Sequence, residues 1–324
     1  MENNITTALK NWIPYTFDNQ SADDICKWMY LGDKEFHEPF FDSTLRECKA
    51  LPINQSRYHP TGTLDVLIEW ATQIEVIQPT AFIFHISRCG STLVSQLLGL
   101  LKTNLILSEV PFIDDLLRYN FKNNHSSLKF VKSGIDFYCA KRTPYLENVF
   151  IKCDSWHIHF YEELRLLYPT TPFFLLYHKP DRVIQSHQKI RGMHAVPGLI
   201  DLEIFNLKQE EIFGISQDEY LAKVIEGYLA AYIRIVKKDE MALLLNFSSG
   251  PLEILNKICS VTGIQIDDTD FLKINNRINF HSKHPQQVFK AVDEENKSAE
   301  RLENYLNLSY KLFDELEVVR KESL

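Results

Sequence analysis

The stretch Ala81–Leu98, AFIFHISRCGSTLVSQLL, decides the fold. It opens with AFIFHI, a compact apolar run rich in β-formers. Ser87-Arg88-Cys89-Gly90-Ser91-Thr92 follows at once, and LVSQLLGLL then carries apolar residues at helical spacing. A strand, a tight loop and a helix are predicted in that order. Short buried strands of the same texture recur at VFIKC (149–153), FFLLY (173–177) and MALLLNF (241–247). Helical stretches lie between and after them, at roughly 155–168, 181–190, 218–238 and 250–262, with a long one from about Asp293 to Arg320. Strands alternating with helices imply an α/β fold whose parallel sheet is flanked by helices on both faces. Ligands on such sheets sit beyond the carboxyl ends of the strands, which directs attention to the loops after 86, 153 and 177.

Residues 1–80 have a different texture. Aromatics (Trp12, Tyr15, Phe17, Trp28, Tyr30, Phe36, Phe40, Phe41, Tyr58) and turn formers dominate, and the stretch Ser21–Tyr30 reads as a short helix with Ser21 as its cap. The expected organisation is an N-terminal accessory segment, 1–80, packed on a core domain, 81–324.

Composition narrows the function. The chain has 324 residues, and 35 Lys+Arg against 43 Asp+Glu give a formal charge of −8. A phosphate-neutralising nucleic-acid binder is normally basic, so no nucleic-acid partner is expected. No apolar run approaches the ~20 residues of a membrane helix, and MENNITTALKNWIPY has neither the basic start nor the apolar core of a signal peptide. A cytoplasmic protein with no membrane partner is expected. The six cysteines (Cys26, Cys48, Cys89, Cys139, Cys153, Cys259) are scattered without a CxxC or a paired His, so they read as buried thiols and not as a zinc site.

The loop after the first strand is suited to an anion. Backbone N–H groups at a helix start point outward, and the helix dipole favours negative charge there. Arg88 brings a planar guanidinium for phosphate or sulfate oxygens. Gly90 allows close backbone approach, and Ser91 and Thr92 offer hydroxyls. The pattern GxxxxGK[ST] is absent, so the lysine and magnesium apparatus of nucleotide hydrolases is not expected. The plain alternative is a strand–helix turn with Ser91 as cap. Cys89 is chosen for size, although a helix N-terminus beside Arg88 is a setting that lowers a thiol's pKa.

These residues carry a family resemblance. SRCGSTLVSQLL at 87–98 resembles the 5′-phosphosulfate-binding loop of sulfotransferases that use 3′-phosphoadenosine 5′-phosphosulfate (PAPS), which commonly reads Pro-Lys/Arg-Ser-Gly-Thr-Thr. Arg88, Gly90, Ser91 and Thr92 match it position by position. The family's second motif, a strand ending in Arg-Asn/Asp-Pro with a Ser eight residues after the Arg, is similar to FFLLYHKPDRVIQSHQKIRG. Pro180 and Ser186 are in place there, and His178 stands where the family has Arg. The resemblance covers about 81–200. It implies a P-loop-type fold and transfer of a sulfuryl group from PAPS to a hydroxyl of a small molecule, glycan or peptide, with no metal required. It implies that Arg88, Cys89, Gly90, Ser91 and Thr92 hold the 5′-phosphosulfate, that His178 and Ser186 hold the 3′-phosphate, and that Lys152 in VFIKC stabilises the transferring charge. Lys283, in the segment 279–289, stands in for the basic run that closes the family's site.

The transfer needs in-line positioning, cations on the moving group and a base for the acceptor hydroxyl. The candidate base is Glu109 in LILSEVPFIDDLL, because the tyrosylprotein sulfotransferase branch places a catalytic Glu at a similar position. The alternative is that Ser108 caps a short helix and Glu109 complements its dipole. Among the histidines, His85 reads as a core residue. His157 and His159 lie on different faces, so at most one meets the site, and His187 and His194 flank Arg191-Gly192 in a loop that can touch the acceptor, but all four read first as structural. Asp114 and Asp115 read as solvated helix-face groups. The aromatic N-terminal segment and residues 190–216 are the natural acceptor-binding additions. Two other functions fit the same loop: an ATP-dependent phosphotransferase, and a non-catalytic nucleotide-binding protein that kept the fold.

Overall fold

A computed structural model describes residues 8–18, 24–36, 38–123, 126–280 and 299–322 of the chain, the first six residues of the last segment by backbone alone. Its centre is a five-stranded parallel sheet. The run AFIFH forms β4 (Ala81–His85), every residue of which is buried, as a strand covered on both faces requires. The order across the sheet is β5 (Asn104–Ser108), β6 (Asn148–Lys152), β4, β7 (Phe173–Tyr177) and β8 (Ala242–Asn246). Before it in the chain come β1 (Trp12–Asp18), β2 (Ile25–Tyr30), α1 (Phe41–Lys49), β3 (Thr61–Thr63) and α2 (Leu64–Ala71).

The crossovers are helical, as parallel pairing demands. α3 (Ser91–Leu98) leads from β4 to β5, and α4 (Pro111–Lys122) and α5 (Leu128–Tyr138) lead to β6. A 3-10 turn (Ser155–Phe160) and α6 (Tyr161–Leu167) lead to β7, and α7 (Pro180–Lys189) and α8 (Gln217–Val236) lead to β8. Among the described residues three helices follow: α9 (Pro251–Thr262), α10 (Asp268–Ile278) and α11 (Ala299–Glu322), the last packed along α8. The sheet is an α/β fold with helices on both faces, as the alternation predicts. No helix among the described residues is long and apolar enough to cross a membrane.

Two local expectations are corrected. Ser21–Tyr30 is not a helix: Ile25–Tyr30 is a strand, and residues 19–23 lie outside those described. ICKWMY is rich in aromatic and β-branched residues, and it pairs antiparallel with both β1 and β3. The three-stranded sheet so formed packs on α4 and α5, with Trp28 edge-on to Phe137 and Phe17 edge-on to Tyr119 (centroids 4.9 Å apart in both). The second correction concerns Asn104–Ser108, which is a fully buried fifth strand, so Ser108 ends a strand and does not cap a helix. The next helix starts at Pro111, whose fixed φ suits the first helical position.

Candidate active site

The sheet order sets out the chemistry along one rim. β4 has β6 on one side and β7 on the other, so the chain reverses direction around it, and a crevice opens at the carboxyl ends. Glu109 follows β5, Asp154 to Trp156 follow β6, Ser87 to Thr92 follow β4, His178 to Lys189 follow β7, and Phe247 follows β8. All these segments contribute walls to one cavity of roughly 890 Å³. It runs from carboxyl and imidazole groups at the β5–β6 end, past the loop after β4, to basic groups at the β7 side.

The loop itself is strained. Ser87 (φ 64°) and Arg88 (φ 48°) are consecutive non-glycine residues in the left-handed region, followed after Cys89 by Gly90 at φ 81°. Each side-chain-bearing residue there costs about 1–2 kcal/mol, a cost that persists chiefly where function fixes the backbone. The turn delivers the chain to α3, whose first N–H groups have no partner within the helix, with buried Ser91 and Thr92 on the cavity wall. Gly90 is required twice: by its φ, and because a Cβ there would lie 2.0 Å from the Phe247 ring. The Arg88 side chain reaches across the mouth, where Nη2 donates to the Ile190 carbonyl (2.6 Å).

At the acidic end Glu109 projects into the cavity from another left-handed residue (φ 55°), its N–H donating to the Lys152 carbonyl (2.8 Å). Its Oε1 accepts from Lys152 Nζ and lies 3.2 Å from His85 Nε2. Burial alone would raise this carboxyl, but the Lys152 ammonium and the neighbouring His85 outweigh it and hold the pKa well below the usual carboxylate range. His85 accepts the Ser87 N–H at Nδ1 (3.0 Å), and its Nε2 lies near Glu109 Oε1 without hydrogen-bond geometry. His85, expected as a core residue, is buried but belongs to this site. Burial lowers the pKa of its imidazole, against the pull of Glu109.

Lys152 lies behind Glu109. Its side chain is 0% exposed and is not part of the cavity wall, and Nζ sits 5.1 Å from the centre of the Phe40 ring. Its charge therefore reaches the cavity through Glu109 and not by direct contact. Asp154 and His194 line the same end. Burial, together with the carboxylates of Glu109 and Asp114, pushes the Asp154 carboxyl well above its ordinary range. His194 Nδ1 lies 3.3 Å from Ser155 Oγ, and Nε2 makes no hydrogen bond among the described residues. Burial lowers its pKa to about 3.

At the basic side His178 lines the wall, but Nδ1 is turned to Ser248 Oγ (3.2 Å) and the ring packs edge-on to Phe247. Burial lowers its pKa, and Arg182 and Lys179 add to the effect against Asp181. Ser186 lines the cavity, and so do Arg182, Gln185 and Lys189, which the sequence reading missed. Their i, i+3, i+4, i+7 spacing on a predicted helix was the available signal.

Other predicted residues fall elsewhere. Cys89 is fully buried, with Sγ donating to the Leu176 carbonyl (3.4 Å); burial pushes its thiol up to about 12, the opposite of the lowering suggested by the helix start. Lys283 lies outside the described residues. His157 is buried against Asp114 (3.0 Å), His159 packs between Tyr228 and Phe205, and neither lines the cavity. His187 is buried and accepts the Gly192 N–H (3.2 Å). Asp114 is not solvated. It is buried and accepts from Trp156 Nε1 (2.7 Å), pinning the turn after β6. Asp114, Asp154 and His157 bring three potential metal-ligand atoms within 4.8 Å of one another. The hydrogen bonds that Asp114 accepts from Trp156 and His157 already account for its burial.

No protein-family model and no curated protein sequence matches the chain. Among solved structures, it is similar to a sulfotransferase from Mycobacterium avium at 13% identity, over 78% of this chain and 81% of that one, with a TM-score of 0.47. A sulfotransferase from Alicyclobacillus acidocaldarius aligns at 13% identity over 76% of this chain and 97% of that one, TM-score 0.44. A mouse sulfotransferase complexed with PAP aligns at 13% identity over 78% of this chain and 92% of that one, TM-score 0.40.

Proposed function

We propose that the chain is a sulfotransferase that moves a sulfuryl group from PAPS to an acceptor hydroxyl. The observation that carries this reading is the strained Ser87–Thr92 loop at the middle of one cavity, with an ionised carboxylate on one side and a basic helix on the other. An anion at the loop meets the start of α3, the hydroxyls of Ser91 and Thr92, and Arg88 once its guanidinium leaves Ile190. These groups stabilise charge on the oxygens of the transferring group. The loop offers no lysine after its glycine, which is the group a nucleoside triphosphate site would use.

The acceptor enters at the β5–β6 end. Glu109 accepts the hydrogen bond of its hydroxyl and takes the proton late, as the new oxygen–sulfur bond forms, the bond from sulfur to the 5′-phosphate oxygen breaks, and adenosine 3′,5′-bisphosphate leaves. Lys152 and His85 fix the carboxylate in position, which raises the fraction of productive encounters. Phe40, Trp156 and Met193 supply the apolar contact surface there.

Donor binding tests this without an identified acceptor. Adenosine 3′,5′-bisphosphate at ~100 times its dissociation constant adds about 2.7 kcal/mol of stability, a clear rise in Tm. ATP with magnesium at the same concentration is expected to add little. The reverse result would show an ATP site and overturn the proposal, and magnesium-dependent ATP consumption would then identify a phosphotransferase.

A further inference from the structure

We infer that the second anionic group of the donor is held by Arg182 on α7, and not by His178; this rests on the donor reading above. Arg182, Gln185, Ser186 and Lys189 form one face of the ten-residue helix Pro180–Lys189, and all four line the cavity. The face follows β7, the strand beside β4, and borders the same cavity as the anion loop. Arg182 is 51% exposed, and its contact with Asp181 is 4.0 Å long, which leaves its fork of N–H donors available to a ligand. Ser186 lies one turn further along the same face and adds a hydroxyl.

His178 points the wrong way for the task. Nδ1 faces Ser248, the ring is packed on Phe247, and the cations of Lys179 and Arg182 beside it disfavour a third positive charge. A neutral imidazole offers one donor at most. The permanent cation absent from position 178 is thus supplied one helical turn further on. On this inference the ligand carries two separated anions, one on the loop 87–92 and one on the Arg182 face.

The test compares adenosine 3′,5′-bisphosphate with adenosine 5′-monophosphate by calorimetric titration of the full chain. The wild type is expected to prefer the bisphosphate. R182Q, which removes a half-exposed side chain, should cut that preference about ten-fold or more while leaving affinity for the monophosphate within about two-fold. H178A should change the preference by no more than about two-fold, and thermal melts of both variants report whether they fold. An R182Q chain that keeps the wild-type preference overturns the inference, as does an H178A chain that loses it. Equal binding of the two nucleotides to the wild type overturns the inference alone. Failure of both to bind the wild type overturns the donor reading, and the inference falls with it.

Discussion

Glu109 and Lys152 are joined twice, at the ends of neighbouring strands: the Glu109 amide donates to the Lys152 carbonyl, and the Lys152 ammonium donates to the Glu109 carboxylate. The backbone bond extends the β5–β6 ladder by one residue beyond Ser108. The pair therefore belongs to the sheet as much as to the cavity.

This pairing makes stability depend on pH. A depressed folded-state pKa contributes stability that is complete above the unfolded value of about 4.3 and is lost as pH falls through the lower folded value. Melting curves between pH 3 and 7 should show a steeper acid loss for the wild type than for Glu109→Gln. At pH 7 Glu109→Gln leaves the Lys152 ammonium buried without a counter-charge and should cost about 3–5 kcal/mol. The double variant Glu109→Gln/Lys152→Met should regain most of that loss.

Substitution at Gly90 should be severe for two separable reasons. Gly90→Ala forces a side chain into the left-handed region and against the Phe247 ring. The backbone part costs about 1–2 kcal/mol. Gly90→Ala/Phe247→Ala removes the clash and leaves the backbone cost, so its melting temperature should lie above that of Gly90→Ala and below that of the wild type. Bisphosphate binding should be lost in the single variant.

On the proposed function, Arg88→Ala should lower transfer of the sulfuryl group from PAPS to an acceptor by at least about 10²-fold, the usual effect of deleting one preorganised donor to developing charge. The same change removes the bond to the Ile190 carbonyl. Hydrogen exchange at residues 190–194 should therefore quicken in the free protein.

Cys89 should be inert. With its thiol buried and its pKa pushed up to about 12, it should escape iodoacetamide at pH 8 in the native chain and react once the chain is denatured. Rapid native labelling at this position would contradict the packing of the loop against Leu176.

Much of this arrangement could be read in the residues. AFIFHI, VFIKC, FFLLY and MALLLNF announce themselves because strands buried on both faces are unbroken apolar runs. NLILS escaped because its apolar core is short and follows a helix so closely that it reads as the helix's continuation. β2 escaped because a Ser-Ala-Asp-Asp start looks like a helix cap, while the pairing that makes ICKWMY a strand comes from distant segments. Arg88, Gly90, Ser91 and Thr92 were legible as a strand–helix loop and Glu109 by family resemblance, and all five line the cavity. The burial of Lys152, the turning of His178 to Ser248 and the membership of His85 depend on which neighbours meet in space, and spacing along the chain does not carry that information.

The place of β4 in the sheet bears on how the chain is made. β4 is synthesised before either of its partners, yet it lies between β6 and β7, and the next strand to emerge, β5, pairs with β6 and not with it. From the appearance of AFIFH until Asn148–Lys152 has been added, both edges of this apolar strand lack their native covering. On a ribosome adding about 5–20 residues per second that interval lasts several seconds, and exposed strand edges are where nascent chains aggregate. Yield in a cell should therefore respond to chaperone supply and elongation speed more than the stability of the finished fold would suggest.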